Sequence, residues 1–406
     1  MASRNKEGSS RLELIEEMLP EGGSPDGESA RIATHMPLNP SVVIVGAGPS
    51  GSSTAFHLLE HGVQDVLVLD KASFPRDKLC GGGLTRKAQQ ELDRMGVYDD
   101  KVATEAYHVP KPYIVMPSGN ALYARPREDK LTQMLVLNRR ILDEILMRRA
   151  RQRGAEIREG VEVTELVRED GRCAGVRTRD GEIFSADVVV VAAGARSARL
   201  RPDGARPVEL VALEGRYSGE PIEHGTACLV FEEAFTPQYG WVFPESEKIV
   251  NVGVAVMGRG KAKELRARLK VMVSKYLPRH LGEACVSCRT TGFPIHASYK
   301  IDHLVDGNVL YVGEAGSLAD PLTLEGISQA LVSGRHAAGS IAAYLRTGEA
   351  SCLGAYQETV RRELRHFAYM RWVAAILKRR SGARLLEAVL RRTPKWLVDE
   401  KRFASP

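Results

Sequence analysis

Gly46, Gly48 and Gly51 fall at a Gly-x-Gly-x-x-Gly spacing in Gly46-Ala-Gly48-Pro49-Ser50-Gly51, and Asp70 follows 19 residues after Gly51. That pattern suits one chemistry, the grip on a dinucleotide pyrophosphate. Gly46 permits a tight turn and Gly48 lets the backbone approach phosphate oxygens. Pro49 and Ser50 lead into a helix whose N-terminus turns its N–H groups and positive dipole end toward the anion. Asp70 would accept from ribose hydroxyls. A glycine turn with no ligand is the alternative, and strand, helix and acid in register argue against it.

Two further glycine turns follow strand-like runs: Asp187-Val-Val-Val-Val-Ala-Ala193-Gly194 and Leu310-Tyr-Val-Gly313-Glu314-Ala-Gly316. Each alone is common; three in order select FAD over a lone nicotinamide cofactor. Tyr239, Trp241 and Phe243 alternate at period two, so they share one face of an extended segment. Plain core and the wall of an apolar pocket both fit that spacing. Cys80, ahead of Gly81, Gly82 and Gly83, fits either a buried small residue or a redox or proton-handling group. Cys285 and Cys288 form a lone CxxC with no second pair, which reads as two ordinary cysteines, and no metal site is expected.

These groups need elements to hold them. Ser41–Val45, a helix over Ser52–His61 and Asp65–Leu69 read as a βαβ unit with buried parallel strands. Arg139–Arg153 carries Ile141, Leu142, Ile145 and Leu146 on one face and stops before Gly154, as an amphipathic helix does. Val161–Val167 and Cys173–Arg179 flank a hairpin turn, and Ala186–Val191 is a buried strand. Val208–Pro294 reads as short strands rather than long helices. Asn308–Val312 runs into the last glycine turn and a helix over Ile327–Leu345, and the chain after Ser351 reads as helical to its end. The predicted order is a flexible extension over 1–40 and a nucleotide-binding domain split over 41–110, 135–205 and 301–350. A sheet-based substrate domain takes 111–134 and 206–300, and a basic helical segment 351–406.

Hydrophobic content of 43% with 27% charged residues is ordinary for a globular chain of this length. The net charge of +6 is unevenly placed: Arg361–Pro406 holds 13 Lys or Arg against 4 Asp or Glu, while residues 1–40 carry −3. A basic tail with Phe367, Trp372, Trp396 and Phe403 could meet an anionic membrane surface, an acidic protein or nucleic acid, or could be a solvated helical face. Nucleic acid is not the expected partner. Six scattered cysteines suit a reducing, cytoplasmic setting. Arg11–Leu19 is acidic and amphipathic, which predicts no signal peptide, and no apolar run approaches the roughly 18 to 20 residues of a membrane span. Any membrane contact is then peripheral, on the inner face.

The ordered motifs resemble the geranylgeranyl reductase family of FAD-dependent oxidoreductases, which share the para-hydroxybenzoate hydroxylase-like fold. The resemblance runs from about Val42 to about Tyr344. It rests on the first glycine loop, Phe74-Pro-Arg76-Asp-Lys-Leu-Cys80-Gly81-Gly82-Gly83, Arg139 with Asp143 and Leu146, and Ala193-Gly194. Tyr239-Gly-Trp241-Val-Phe243-Pro244 and Gly313-Glu314 through Asp320-Pro321 to Gly326-Ile327 complete it. It implies a Rossmann-like FAD-binding domain interrupted by an antiparallel-sheet substrate domain. Asp70, Arg139 and the Gly46–Gly51 loop would hold the ADP half, and Lys71, Arg76, Ala193 and Gly194 would also contact the cofactor. Gly313, Glu314, Asp320, Pro321, Gly326 and Ile327 would hold the ribitol and ring end, beside Cys80, Gly81 and Gly82. Tyr239, Trp241 and Phe243 would bind substrate, and Cys80 and Tyr239 are the catalytic candidates, the proton coming from either of them or from an ordered water. Three departures stand out: Thr236 in place of a Pro, Glu314 in place of an Asp, and Ala193 where relatives have Asp. The last leaves the electron donor open between NADPH and a redox protein.

The activity so implied is reduction of carbon–carbon double bonds in an isoprenoid chain by reduced FAD. A second reading is a flavin-dependent tailoring oxidase, monooxygenase or halogenase acting on a natural-product intermediate, carried on an acidic carrier protein that the tail docks. A third, without redox chemistry, is an escort protein for prenylated GTPases, and all three cofactor turns count against it.

Overall fold

The computed structural model describes residues 40–124, 131–201, 207–218, 225–231, 235, 238–258, 261–277, 285–288, 292–377, 384–385, 387–388 and 398–402. The extension over 1–40, all but its last residue, and Thr236 lie outside the described residues.

A six-stranded sheet runs in the order Val305–Asp306, Val309–Tyr311, Val188–Val191, Val42–Val45, Val66–Asp70, Glu156–Glu159, parallel except for the first pair. Its central strands are buried on both faces, which is why they read as unbroken valine and leucine runs. Alternation then divides them. Val42, Ile44, Val68, Val188 and Val190 face a core shared with helices Pro49–Glu60 and Ile327–Thr347. Val43, Val45, Leu67, Leu69, Val189 and Val191 face Cys173, Val176 and Phe184 of a three-stranded sheet, Val163–Glu169, Arg172–Thr178 and Ile183–Ser185. The two helices cross at Gly334, where a Cβ would fall 2.6 Å from the carbonyl oxygen of Ser50. Only a residue without that atom permits so close a crossing.

A nine-stranded sheet holds Tyr113–Val115, Asn120–Ala124, Val208–Ser218, Cys228–Val230, Gly240–Ser246, Ile249–Met257, Cys285–Cys288, Phe293–Ala297 and Val398–Arg402. It is antiparallel apart from the pairing of Cys228–Val230 with Tyr113–Val115. One face carries Val242, Val250, Val252 and Val254 and is covered by Leu265, Leu269, Met272 and Tyr276 of helix Ala262–Tyr276. This helix was not expected in a region read as strands. The other face carries Ala212, Trp241 and Ala255.

After Ser351 the chain forms helices Ser351–Glu363 and Phe367–Leu377. Helix does not continue to the end: Val398–Arg402 is a strand antiparallel to Asn120–Ala124. The edge of Asn120–Ala124 offers a ladder that no local helical pattern reveals.

Candidate functional site

One cavity of about 1340 Å³ runs from the first glycine loop to the open face of the large sheet. Gly46, Gly48, Pro49, Ser50, Asp70, Lys71 and Arg76 line its first arm. Gly46 has φ +107, and a Cβ there would sit 2.7 Å from the carbonyl oxygen of Ala192, so the middle glycine turn packs directly on the first. A Cβ on Gly51 would sit 1.8 Å from the carbonyl oxygen of Gly46. Gly51 therefore serves the turn itself and does not reach the cavity. Gly48 differs. It has φ −71, and a Cβ there would meet only Arg76 Nη2, at 3.6 Å. The fold leaves open space in front of that backbone, as the approach of a ligand requires.

The helix that starts there, Pro49–Glu60, has no side-chain N-cap and no acidic residue in its first turn. Its leading N–H groups and dipole are thus left to an anion in the cavity. Asp70 is fixed by the N–H groups of Ala47, at 2.7 Å, and Ala72, at 2.9 Å. Arg139 forms two hydrogen bonds to Asp143, at 2.6 and 2.7 Å, and Arg76 Nη2 lies 3.2 Å from the same carboxylate. Burial works against the Arg139 charge, but Asp143 outweighs it and holds the guanidinium firmly protonated. Helix Arg139–Arg153, capped by Asn138, delivers this pair. Lys71 is half exposed and 3.9 Å from Glu162.

Between the arms, Cys80, Gly81 and Gly82 line the wall with Ala193, Gly194 and Glu314. Glu314 Oε1 accepts from the His296 N–H at 3.1 Å, and its Oε2 lies 3.6 Å from Lys78 Nζ. Lys78 is a cavity residue that no motif singled out. Burial and the neighbouring Arg139 guanidinium pull its ammonium below the usual range, against the pull of Glu314. Glu214, also unforeseen, accepts from the Cys80 N–H at 3.2 Å. It shares a strand face with Ala212, a period-two cue that a charged residue in an apolar strand gives.

The second arm is apolar. Tyr239, Trp241 and Phe243 line it with Ile114, Leu229 and Leu324. Both readings of the aromatic triplet hold for Trp241, which is 6% exposed yet borders the cavity. Its indole N–H donates to Asn251 Oδ1 at 2.8 Å. A Cβ on Gly253, its cross-strand partner, would lie 2.0 Å from the indole ring, and one on Gly81 would lie 2.9 Å from both Trp241 and Phe243. Those glycines make room for the aromatics, and Gly81 brings the Cys80–Gly83 segment against them. The Tyr239 hydroxyl donates to the carbonyl of Thr323, and burial with the nearby Asp320 raises its pKa.

At this end Gly326 and Ile327 line the cavity where helix Ile327–Thr347 begins. Gly313, Asp320 and Pro321 stand behind the wall. Gly313, at φ +57, packs on Ser50, and Asp320 Oδ1 accepts from the N–H groups of Leu322 and Thr323, at 2.9 and 2.8 Å. Glu325, missed by the motif reading, borders the cavity and accepts from Ser328 N at 2.8 Å. Burial raises its pKa, and Asp320 adds to the effect.

The open backbone at Gly48, the uncapped helix and the fixed carboxylate of Asp70 fit a dinucleotide in the first arm. The model of the FAD-binding domain matches residues 39–368. The chain belongs to the FAD-binding domain family. It is 31% identical to a menaquinone reductase of Mycolicibacterium smegmatis over 73% of this chain and 75% of that protein. It is 30% identical to digeranylgeranylglycerophospholipid reductase 1 of Methanopyrus kandleri over 83% of this chain and 90% of that one. A solved geranylgeranyl bacteriochlorophyll reductase-like structure from Thermoplasma acidophilum superposes with a TM-score of 0.75 at 22% identity, covering 86% and 91% of the two chains. A myxobacterial chondrochloren halogenase superposes at 0.70 with 20% identity, covering 87% and 90%. At such identities these structures establish the fold alone. The family match and the two reductase relatives make this flavoprotein an FAD-dependent oxidoreductase of the geranylgeranyl reductase family.

Proposed function

We propose that the flavoprotein saturates carbon–carbon double bonds of an isoprenoid chain, the reading carried by the apolar arm that opens beside the Cys80–Gly83 segment. When bound, FAD supplies the hydride in its reduced form. Gly48, Asp70, Arg76, Lys78 and Arg139 bind and orient it. Tyr239, Trp241 and Phe243, with Ile114 and Leu229, bury the methyl-branched chain and exclude water from the reacting carbons. The relatives support this, since one is named for a geranylgeranyl lipid and both are named reductases.

No helix among the described residues is long and apolar enough to cross a membrane. Helix Phe367–Leu377 exposes Tyr369 and Trp372, at 68% and 66%, on the same segment as the basic tail. Peripheral contact with anionic lipid is part of the proposal, and it would bring a lipid substrate to the enzyme.

The deciding experiment mixes chemically reduced, FAD-loaded protein with a geranylgeranyl lipid without oxygen. Flavin reoxidation with a product two hydrogens heavier is expected. Reoxidation only with oxygen, with an oxygenated or halogenated product, would instead establish the tailoring-enzyme reading.

A further inference from the structure

Reducing an alkene needs a proton as well as a hydride, and the obvious donor is poorly placed for it. Tyr239 already gives its hydroxyl hydrogen to a carbonyl, that of Thr323. No motif in the sequence marks His366, yet it borders the same cavity, at the turn between helices Ser351–Glu363 and Phe367–Leu377. That turn is firmly seated. Leu364 and Phe367 on either side of His366 are 1% exposed, in the core of the FAD-binding sheet. Tyr356 donates to the carbonyl of Tyr311 at 2.8 Å, and Gln357 accepts from Leu304 N at 3.0 Å.

His366 Nε2 lies 3.5 Å from Asp320 Oδ2, with side chains 45% and 8% exposed. The imidazole thus reaches solvent on one side and a buried carboxylate on the other. Asp320 Oδ1 is occupied by two N–H groups of its own loop, and Asp320 N donates to the carbonyl of Glu325 at 2.8 Å. Its second oxygen is the one turned to His366. Around the pair stand Glu325 and Tyr239 on the cavity side, Tyr299 within the electrostatic reach of Asp320, and Glu363 with Lys87 at 2.8 Å one turn upstream. A rim histidine backed by a fixed carboxylate is the arrangement that holds and passes a proton.

We propose that His366, oriented by Asp320, passes protons from solvent into the cavity and supplies the proton consumed in double-bond reduction; the inference rests on the reductase reading. The balance closes. One alkene carbon would gain the hydride of the anionic, two-electron-reduced flavin, and the π pair would form the second C–H bond to the proton released by the imidazolium. The flavin is oxidised, the alkene is reduced, and the imidazole takes a new proton from water. Asp320 is the positioning residue.

The test uses full-length, FAD-loaded His366→Ala and His366→Gln. Flavin content, thermal midpoint and the spectrum after chemical reduction should match the parent, because His366 is half exposed. Anaerobic reoxidation by a geranylgeranyl lipid should slow on the order of 100-fold, the lower range for a lost general acid. It should lose the parent's acid–base limb in its pH profile and recover in His366→Ala with added imidazole. Parent-rate reoxidation in both variants overturns the proton path and leaves the reductase reading intact. So does a slow variant that keeps the parent's pH limb and ignores imidazole, since His366 would then be only a packing residue. A parent that stays reduced in the presence of the lipid overturns the reductase reading, and the proton path with it.

Discussion

Gly48→Ala separates what the fold needs from what the ligand needs. The added methyl meets nothing of the protein nearer than Arg76 Nη2 at 3.6 Å, and φ of −71 is available to any residue. Alanine reduces unfolded-chain entropy, worth about 0.4 to 1 kcal/mol, but is a poorer helix N-cap than glycine by a similar amount. The two effects oppose, so the FAD-free variant should stay within about 1 kcal/mol of the parent. The ligand side has no such cancellation, because the methyl fills the space through which backbone N–H groups reach the pyrophosphate. A tenfold rise in Kd, about 1.4 kcal/mol, is the least expected. At a free FAD concentration of about 100 times the parent Kd, the stabilisation by FAD should fall from about 2.7 to about 1.4 kcal/mol. Denaturant titrations with and without FAD, together with Kd from flavin fluorescence, measure both halves. Gly51→Ala is the contrast: its methyl would fall 1.8 Å from a carbonyl oxygen, so it should fail without FAD. A Gly48→Ala protein that binds FAD like the parent would refute the placement of the pyrophosphate.

Trp241→Ala should lose both stability and turnover, because the indole is packed between Gly81 and Gly253 and also walls the cavity; roughly 3 to 5 kcal/mol of stability is expected to go. Turnover at the parent rate in a folded, flavin-loaded variant would contradict the wall. Glu325→Gln should be more stable than the parent at neutral pH. A carboxyl whose pKa is raised on folding contributes its stability below the unfolded value of about 4.5 and loses it as pH rises through the folded value. The difference between variant and parent should therefore vanish below about pH 4.5 and grow above it, and a flat difference across denaturation midpoints would oppose this. Co-sedimentation with anionic vesicles should fall sharply in high salt, since each basic residue of the tail adds on the order of 1 kcal/mol at low salt. Binding that survives high salt, or that needs no anionic lipid, would point to insertion of Tyr369 and Trp372 instead.

The strand-helix-strand unit around Gly46 and the helix Arg139–Arg153 were legible because each is a local pattern: buried runs, a period of 3.6, a capping residue, a terminating glycine. Spacing likewise marked Asp70, and alternation placed Tyr239, Trp241 and Phe243 on one face. Their role could not be read that way, because core and cavity wall require the same apolar alternation. Gly253 and Gly81, distant in sequence, leave the indole edge a place beside the Cys80–Gly83 segment, where Trp241 is both packed and on the cavity border. Helix Ala262–Tyr276 and strand Val398–Arg402 exist where partner surfaces wait for them, an apolar sheet face and an open sheet edge. His366 carries no periodic or motif signal, Lys78 and Glu325 lie inside quoted motifs that give them no task, and Glu214 shows only as a charged residue in an apolar strand. They acquire a role only when folding brings Glu314 to Lys78, Cys80 to Glu214 and Asp320 to His366. The sequence by itself determined the nucleotide-binding framework, since short-range backbone chemistry suffices for it. Tertiary structure decided which charges meet at the cavity, because such pairings depend on chain segments that only packing brings together.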